Sequence, residues 1–312
     1  MGKTVDIQSL QAQMMIYGEI DSDSMRLFNP SIMWEKDKLK IVIRSCNFMV
    51  DKNGQWKFRD GSAFSITDNY YGDLDPDTLA VTNLKKLNLS DDAPTRMKVA
   101  GIEDLRLFYR KDGMHAIGFE SDRLSKFLHN ETAKLAECRI EGDTLQYLKT
   151  YDKPDKALPE KNWSPTDEPS DNFDFTYSDT QVYKDGKVIG KRSTTNIHGG
   201  STLLKQKDGT YLSLVHEKVL DRTPFAGTYM QRQARRNAYD KYIYLTYLAK
   251  HDENGVITSL SMPFRFGTKE NIEFASGLVE YKDSLIMTLG IRDCKYAVVK
   301  IKKDKIMELF EK

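Results

Sequence analysis

The stretch Gly101-Ile102-Glu103-Asp104-Leu105-Arg106-Leu107-Phe108 holds two adjacent carboxylates, an arginine two residues further on, and apolar residues on either side. On a strand, neighbouring side chains face opposite ways and residues two apart share a face. Asp104 and Arg106 are therefore expected to point together, with Glu103 opposite. An aspartate aimed at a cavity beside a guanidinium is held in place and tuned as a proton donor or acceptor. Structural ion pairs at strand ends perturb carboxylates in the same way, and spacing alone favours that plainer reading. The rest of the chain decides between them.

Further polar residues fall at comparable places, just before or just after short apolar runs. They are Phe28-Asn29-Pro30, Arg44 at the end of Leu39–Ile43, Lys161-Asn162-Trp163, His198 before Gly199-Gly200, His216 after Tyr211–Val215, Glu273, and Asp293 after Gly290. Carboxylates among several cations suit a sugar joined to a phosphate: the acid handles the glycosidic oxygen and the cations hold the anion. Each also has a structural reading. His216 fits a core histidine, Lys161 a solvated lysine, Trp163 a core aromatic as readily as a sugar platform, and Arg44 the partner of a structural acid. The paired glycines after His198 allow close backbone approach.

These residues need elements that bring them together. Four segments share one plan, a short apolar strand, a Lys-Asp turn and a second apolar strand: Ser31–Trp34 with Leu39–Ile43, Leu105–Tyr109 with Met114–Phe119, Ser201–Leu204 with Thr210–Val215, and Gly277–Tyr281 with Leu285–Leu289. Asp-Gly between apolar runs is a hairpin signal, and recurrence at long spacing points to repeated units. A fifth unit runs from Glu160-Lys161-Asn162-Trp163 through Asp174–Tyr177 to a turn at Lys184-Asp185-Gly186. Five units give roughly 60 residues each, which suits four-stranded propeller blades with some long loops. Ala63–Ile66, Leu145–Leu148 and Tyr242–Leu245 fit as outer strands. The expected architecture is an all-β, five-bladed β-propeller in a single domain over residues 1–312, with an insertion at about 222–240. Two stacked β-sandwiches are the alternative. Val5–Met15 reads as a short helix or edge strand, Leu84–Thr95 as a loop, Leu124–Ala136 as a short helix or loop, and Met230–Tyr239 as a basic helix. In a propeller the inner-strand starts surround a central channel, so the polar residues above converge on one funnel.

Composition narrows the function. With 47 Lys and Arg against 46 Asp and Glu in 312 residues, there is no electrostatic footprint for duplex nucleic acid or an anionic membrane. No signal-peptide pattern or window of membrane-span length is present. The three cysteines, Cys46, Cys138 and Cys294, form no CxxC pair, and the reading is a reducing cytoplasm. The five histidines lack metal-ligand spacing. No GxGxxG, P-loop or GxSxG motif occurs.

The order of these motifs resembles glycoside hydrolase family 130, the five-bladed β-propeller glycoside phosphorylases acting on β-mannosides, and related mannosyltransferases. Asn29-Pro30 matches an Asn-Pro before the first blade. Glu103-Asp104-Leu105-Arg106 matches Glu-Asp-Pro-Arg, with Leu105 where the family has proline. Lys161-Asn162 with Pro165, Gly199-Gly200, Val215-His216 and Gly290 with Asp293 follow in the family's order. The resemblance implies that Asp104 is the general acid and that Arg44, Lys161, Asn162 and His216 are phosphate or diphosphate ligands. It implies no cofactor, inorganic phosphate or a nucleotide sugar as co-substrate, and a sugar or glycan as substrate. The expected function is glycosyl transfer to or from phosphate or an activated donor, with Glu103 beside Asp104 at the reacting centre. Asn29, Arg106, Trp163, His198, Glu273 and Asp293 complete the binding set. The alternatives are a non-catalytic glycan-binding propeller and a protein scaffold.

Overall fold

The computed structural model describes residues 4–17, 26–50, 56–58, 65–120, 134–151, 162–167, 175–176, 181–184, 187–191, 197–221 and 242–311. Their strands form antiparallel meanders. One is Arg26–Glu35, Lys38–Cys46, Thr67–Leu74 and Val81–Leu89. The next is Glu103–Arg110, Gly113–Glu120, Lys134–Glu141 and Thr144–Tyr151. A short parallel pairing of Asn88 and Leu89 with Thr144 and Leu145 joins the two along their outer strands. Ser164–Pro165, Phe175–Thr176, Gln181–Lys184 and Lys187–Lys191 form another meander. In the following one, Ile197–Gly199 and Leu204–Lys205 share one edge of Tyr211–Leu220, and Tyr242–His251 pairs with its other edge. The last is Glu273–Tyr281, Ser284–Ile291 and Lys295–Lys302, completed by Gln13–Tyr17 from the start of the chain. This is a β-propeller.

The hairpins close as the Lys-Asp dipeptides require. Two-residue loops at Lys36-Asp37, Lys111-Asp112 and Lys282-Asp283 connect Glu35 to Lys38, Arg110 to Gly113 and Tyr281 to Ser284. The second strands are buried on both faces; every residue of Ser284–Ile291 is buried, as a continuous apolar run between packed layers demands. The inner strands expose backbone groups that no ladder satisfies, and hydroxyls from neighbouring meanders meet them. Ser31 Oγ accepts from Leu107 N–H at 3.0 Å, and Thr202 Oγ1 donates to Leu107 O at 2.7 Å. Ser276 Oγ and Thr288 Oγ1 donate to Pro30 O at 2.7 and 2.6 Å. Pro30 sits where no N–H is required, the place a strand tolerates proline.

Several sequence expectations need correction. Leu84–Thr95 is a loop only over residues 90–94: Val81–Leu89 is an outer strand and Thr95–Ala100 a short helix. Asn83 lies in the left-handed region at φ 55°, and the register shifts between Tyr71 and Asp73. That bulge breaks the apolar alternation that would have shown the strand. Of the outer strand expected at Ala63–Ile66, residues 63–64 lie outside the described residues and residues 65–66 only lead into the strand Thr67–Leu74. Of the short helix or loop expected over Leu124–Ala136, residues 124–133 lie outside the described residues and 134–136 are strand. Val5–Met15 contains both expected forms, a 3₁₀ turn at Ile7–Leu10 and the strand Gln13–Tyr17. The basic stretch Met230–Tyr239 and the insertion at about 222–240 lie outside the described residues, as do residues 185–186 of the fifth turn.

Candidate functional site

Bulges re-aim side chains at the heads of the inner strands. In the second meander Glu103 pairs with Phe119 and Arg106 with Ile117, so Asp104 and Leu105 together face the single residue Gly118. In the first, Phe28 pairs with Arg44 and Ser31 with Val42, so Asn29 and Pro30 face Ile43. Asp104 and Asn29 take the left-handed conformation, at φ 52° and 49°, and so do Asn162 and Asp293, at 63° and 49°. Such residues carry backbone strain of order 1–3 kcal/mol each and gather where function requires a particular direction.

The bulges bring Asn29, Arg44, Glu103, Asp104 and Asp293 together. Asp104 Oδ1 accepts from Asn29 Nδ2 at 2.9 Å and from Arg44 Nη1 at 3.0 Å. Arg44 Nη2 lies 3.1 Å from Glu103 Oε1 and donates to Thr67 Oγ1 at 3.4 Å. Asn29 Nδ2 also lies 3.5 Å from Asp293 Oδ1. The Arg44 guanidinium packs on the rings of Phe28 and Phe48. Burial alone pulls Arg44 down, but Glu103 and Asp104 hold it well above its ordinary value.

Two directional expectations change. Glu103 does not point away from Asp104, because the bulge breaks strict alternation and both carboxylates reach Arg44. Arg106 does not pair with the Asp104 carboxylate. Its Nη1 donates to the Asp104 backbone carbonyl at 2.9 Å and its Nε to Gly200 O. The buried Arg106 side chain lies over the Phe274 ring, and its Nη2 has no hydrogen-bond partner among the described residues. Burial pushes Arg106 down to about 10, with Asp104 acting the other way.

Beside Arg106, Phe274 packs edge-on to His216 at 5.0 Å, and His198 and Tyr244 flank that imidazole at 5.3 and 5.2 Å. Tyr244, which sequence reading placed only as part of an outer strand, is raised by burial and then by Asp293 and Asp104, so it lies within their field. The alternating aromatics of Tyr242-Ile243-Tyr244 were its only sequence signal. The glycines after His198 do permit close approach: a methyl group at Gly199 would come within 2.1 Å of Asn162 O.

Two of the expected binding residues are engaged elsewhere. Trp163 is 2% exposed and packs with Tyr151 in the core, which does not fit a sugar platform. Glu273 is fully buried and anchors the preceding loop from inside, accepting from Phe266 N–H, Thr268 N–H and Thr268 Oγ1 at 2.8, 2.9 and 2.6 Å. Lys161 lies outside the described residues. Burial pushes the Cys46 thiol up to about 12 despite the pull of nearby Arg44, so it is no thiolate at neutral pH.

No family model matches the chain, and no curated protein sequence matches it. Solved structures do. A β-1,2-mannobiose phosphorylase from Listeria innocua, in complex with β-1,2-mannobiose, superposes with a TM-score of 0.61 at 13% identity, covering 96% of this chain and 99% of that one. A mannose phosphorylase from Leishmania mexicana in complex with phosphate gives 0.59 at 12%, covering 93% and 88%. A structure from the GH130 family of mannoside phosphorylases, which contains glycoside hydrolases that target β-1,2-mannosidic linkages in Candida mannan, gives 0.61 at 14%, covering 93% and 86%. Across nearly its whole length, the chain has the fold of these mannoside-active proteins.

Proposed function

We propose that the protein is a carbohydrate-active enzyme that transfers a glycosyl group to or from phosphate or an activated donor, with Asp104 as general acid. The observation that carries this reading is Asp104 itself. It is turned out of its strand by a bulge at positive φ and held on one oxygen by Asn29 and Arg44. In the phosphorolytic direction a phosphate oxygen bonds to the anomeric carbon as the glycosidic C–O bond breaks, and the leaving oxygen takes the Asp104 proton. An inverting hydrolase instead needs a second carboxylate across the site to activate water. Glu103 does not suit that part, because it is buried and turned to the same guanidinium as Asp104. Phosphate as nucleophile needs no such base. The fold shared with a phosphorylase that binds β-1,2-mannobiose and with one that binds phosphate supports the same chemistry.

The test is phosphorus NMR of the protein with a pool of β-mannosides, β-1,2-mannobiose included, and inorganic phosphate, then with nucleotide sugars. The expected result is a new sugar 1-phosphate signal whose rate falls about 10²–10⁴-fold in Asp104→Asn. Sugar binding without turnover in any mixture would replace the enzyme with a glycan-binding module.

A further inference from the structure

One guanidinium serves two carboxylates at this site. Arg44 meets Asp104 through Nη1 at 3.0 Å and Glu103 through Nη2 at 3.1 Å. Side-chain exposure is 5% for Arg44, 5% for Glu103 and 14% for Asp104, so water screens the three charges little. Among the described residues, the charged and titratable groups around Asp104 include Arg44 and Asp293 from neighbouring meanders, Glu103 and Arg106 from its own strand, and Tyr244, with the Cys46 thiol beside Arg44 and Glu103. Three carboxylates thus face two guanidiniums, and Arg106, whose hydrogen bond goes to the Asp104 backbone carbonyl, acts on the carboxylate through its charge alone.

The two donors on Asp104 Oδ1, Asn29 Nδ2 and Arg44 Nη1, both favour the ionised carboxylate. A general acid poised near neutral pH needs something to oppose them. Glu103 does so twice: it shares the guanidinium, and its own negative charge disfavours a second one beside it. We propose that Glu103 is a positioning residue that sets the protonation of Asp104 by competing with it for Arg44. This rests on Asp104 being the proton donor of the proposed reaction.

The experiment is a carboxyl-carbon NMR titration of the full chain labelled at aspartate Cγ, with Asp104 assigned by its loss in Asp104→Asn. In Glu103→Gln Asp104 no longer shares Arg44 with Glu103, Asp293 remaining the more distant carboxylate, and the Asp104 titration midpoint is expected to drop by about one pH unit. In Arg44→Gln the midpoint should rise by a similar amount, and Arg44→Lys should lie between wild type and Arg44→Gln. A merely structural Glu103 would change thermal stability and leave the midpoint in place. An unchanged midpoint in a folded Glu103→Gln protein overturns the proposal.

If that variant does not fold, a second variant at the same position, labelled at aspartate Cγ as before, gives the answer. There Asp104 is followed in Glu103→Asp, which keeps the charge but draws it back from Arg44: its midpoint must drop there too, and an unchanged midpoint overturns the proposal equally. The two readings separate cleanly. A shifted midpoint with a fully active Asp104→Asn protein removes Asp104 from catalysis but keeps the shared charge. An inactive Asp104→Asn protein with an unshifted midpoint does the reverse.

Discussion

Asn29 reaches Asp104 only because position 290 carries no side chain. A methyl group there would stand 1.8 Å from Asn29 Oδ1 and 2.8 Å from Asn29 N, and backbone held in a paired strand cannot yield that far. Gly290→Ala should therefore push Asn29 off Asp104 without touching any charge. Misplacement by about 1 Å at a reacting centre costs on the order of 10²-fold in rate, so kcat for sugar 1-phosphate formation is expected to fall by that order. Wild-type turnover in Gly290→Ala would mean that the Asn29 contact does not matter. The residues of this cluster were legible in sequence because Asn29 and Asp104 stand near the heads of strands, and Arg44 and Asp293 near the ends of theirs. Their directions were not. Strict alternation sent Glu103 away from Asp104, and only a bulge, which one sequence does not announce, turns both toward Arg44. Glu273 and Trp163 misled for a related reason: a carboxylate or an indole at a strand head looks the same whether it faces a funnel or an internal loop.

At the scale of the element, one carboxylate ties together the whole meander that carries Asp104. Glu137, on Lys134–Glu141, lies 2.9 Å from His115 Nδ1 on Gly113–Glu120 and 3.1 Å from Arg110 Nε on Glu103–Arg110. It also accepts from the hydroxyl of Tyr151, on Thr144–Tyr151. Burial works to raise Glu137, but His115, Tyr151 and Arg110 outweigh it and hold it below its ordinary value. A carboxylate depressed in the folded state contributes stability above its unfolded value of about 4.3, and that contribution is lost as pH falls through the folded value. Glu137→Gln should therefore lower stability at pH 7 by about 1.5–3 kcal/mol, the range for a charged hydrogen bond. Below the folded Glu137 value the gap from wild type should close. Urea unfolding at several pH values measures both, and a gap that stays constant down to the acid limb would contradict this account. The hairpins themselves were legible, because apolar runs around Lys-Asp turns obey local rules. Val81–Leu89 was not, since its bulge at Asn83 removes the alternation on which the reading depends.

At the scale of the whole molecule, the repeat closes through its own beginning. Gln13–Tyr17 is the fourth strand of the last meander, pairing Met15 with Val298 and stacking Tyr17 on Tyr296 at 4.7 Å. Just before it, Val5 and Asp6 pair in parallel with Phe264 and Arg265, and Ile7 is buried in the core shared by the last two meanders. The Tyr17 hydroxyl then donates to Leu79 O in the first meander. One short segment thus bridges three meanders, an arrangement that local sequence pattern could suggest only as a short helix or an edge strand. Deleting residues 1–17 should remove the ladder on Lys295–Lys302 and leave the strand Lys-Tyr-Ala-Val-Val-Lys-Ile-Lys with an open edge. An exposed, mostly apolar edge templates pairing with other chains. The truncated protein is expected to melt more than about 5 °C lower, since each kcal/mol lost shifts a protein of this size by a few degrees. It should also aggregate on heating where the full chain does not. Calorimetry with light scattering checks both. If the truncated chain stays monodisperse and melts at the wild-type temperature, the ring is held by its inner strands alone, and the first strand serves only as a cover.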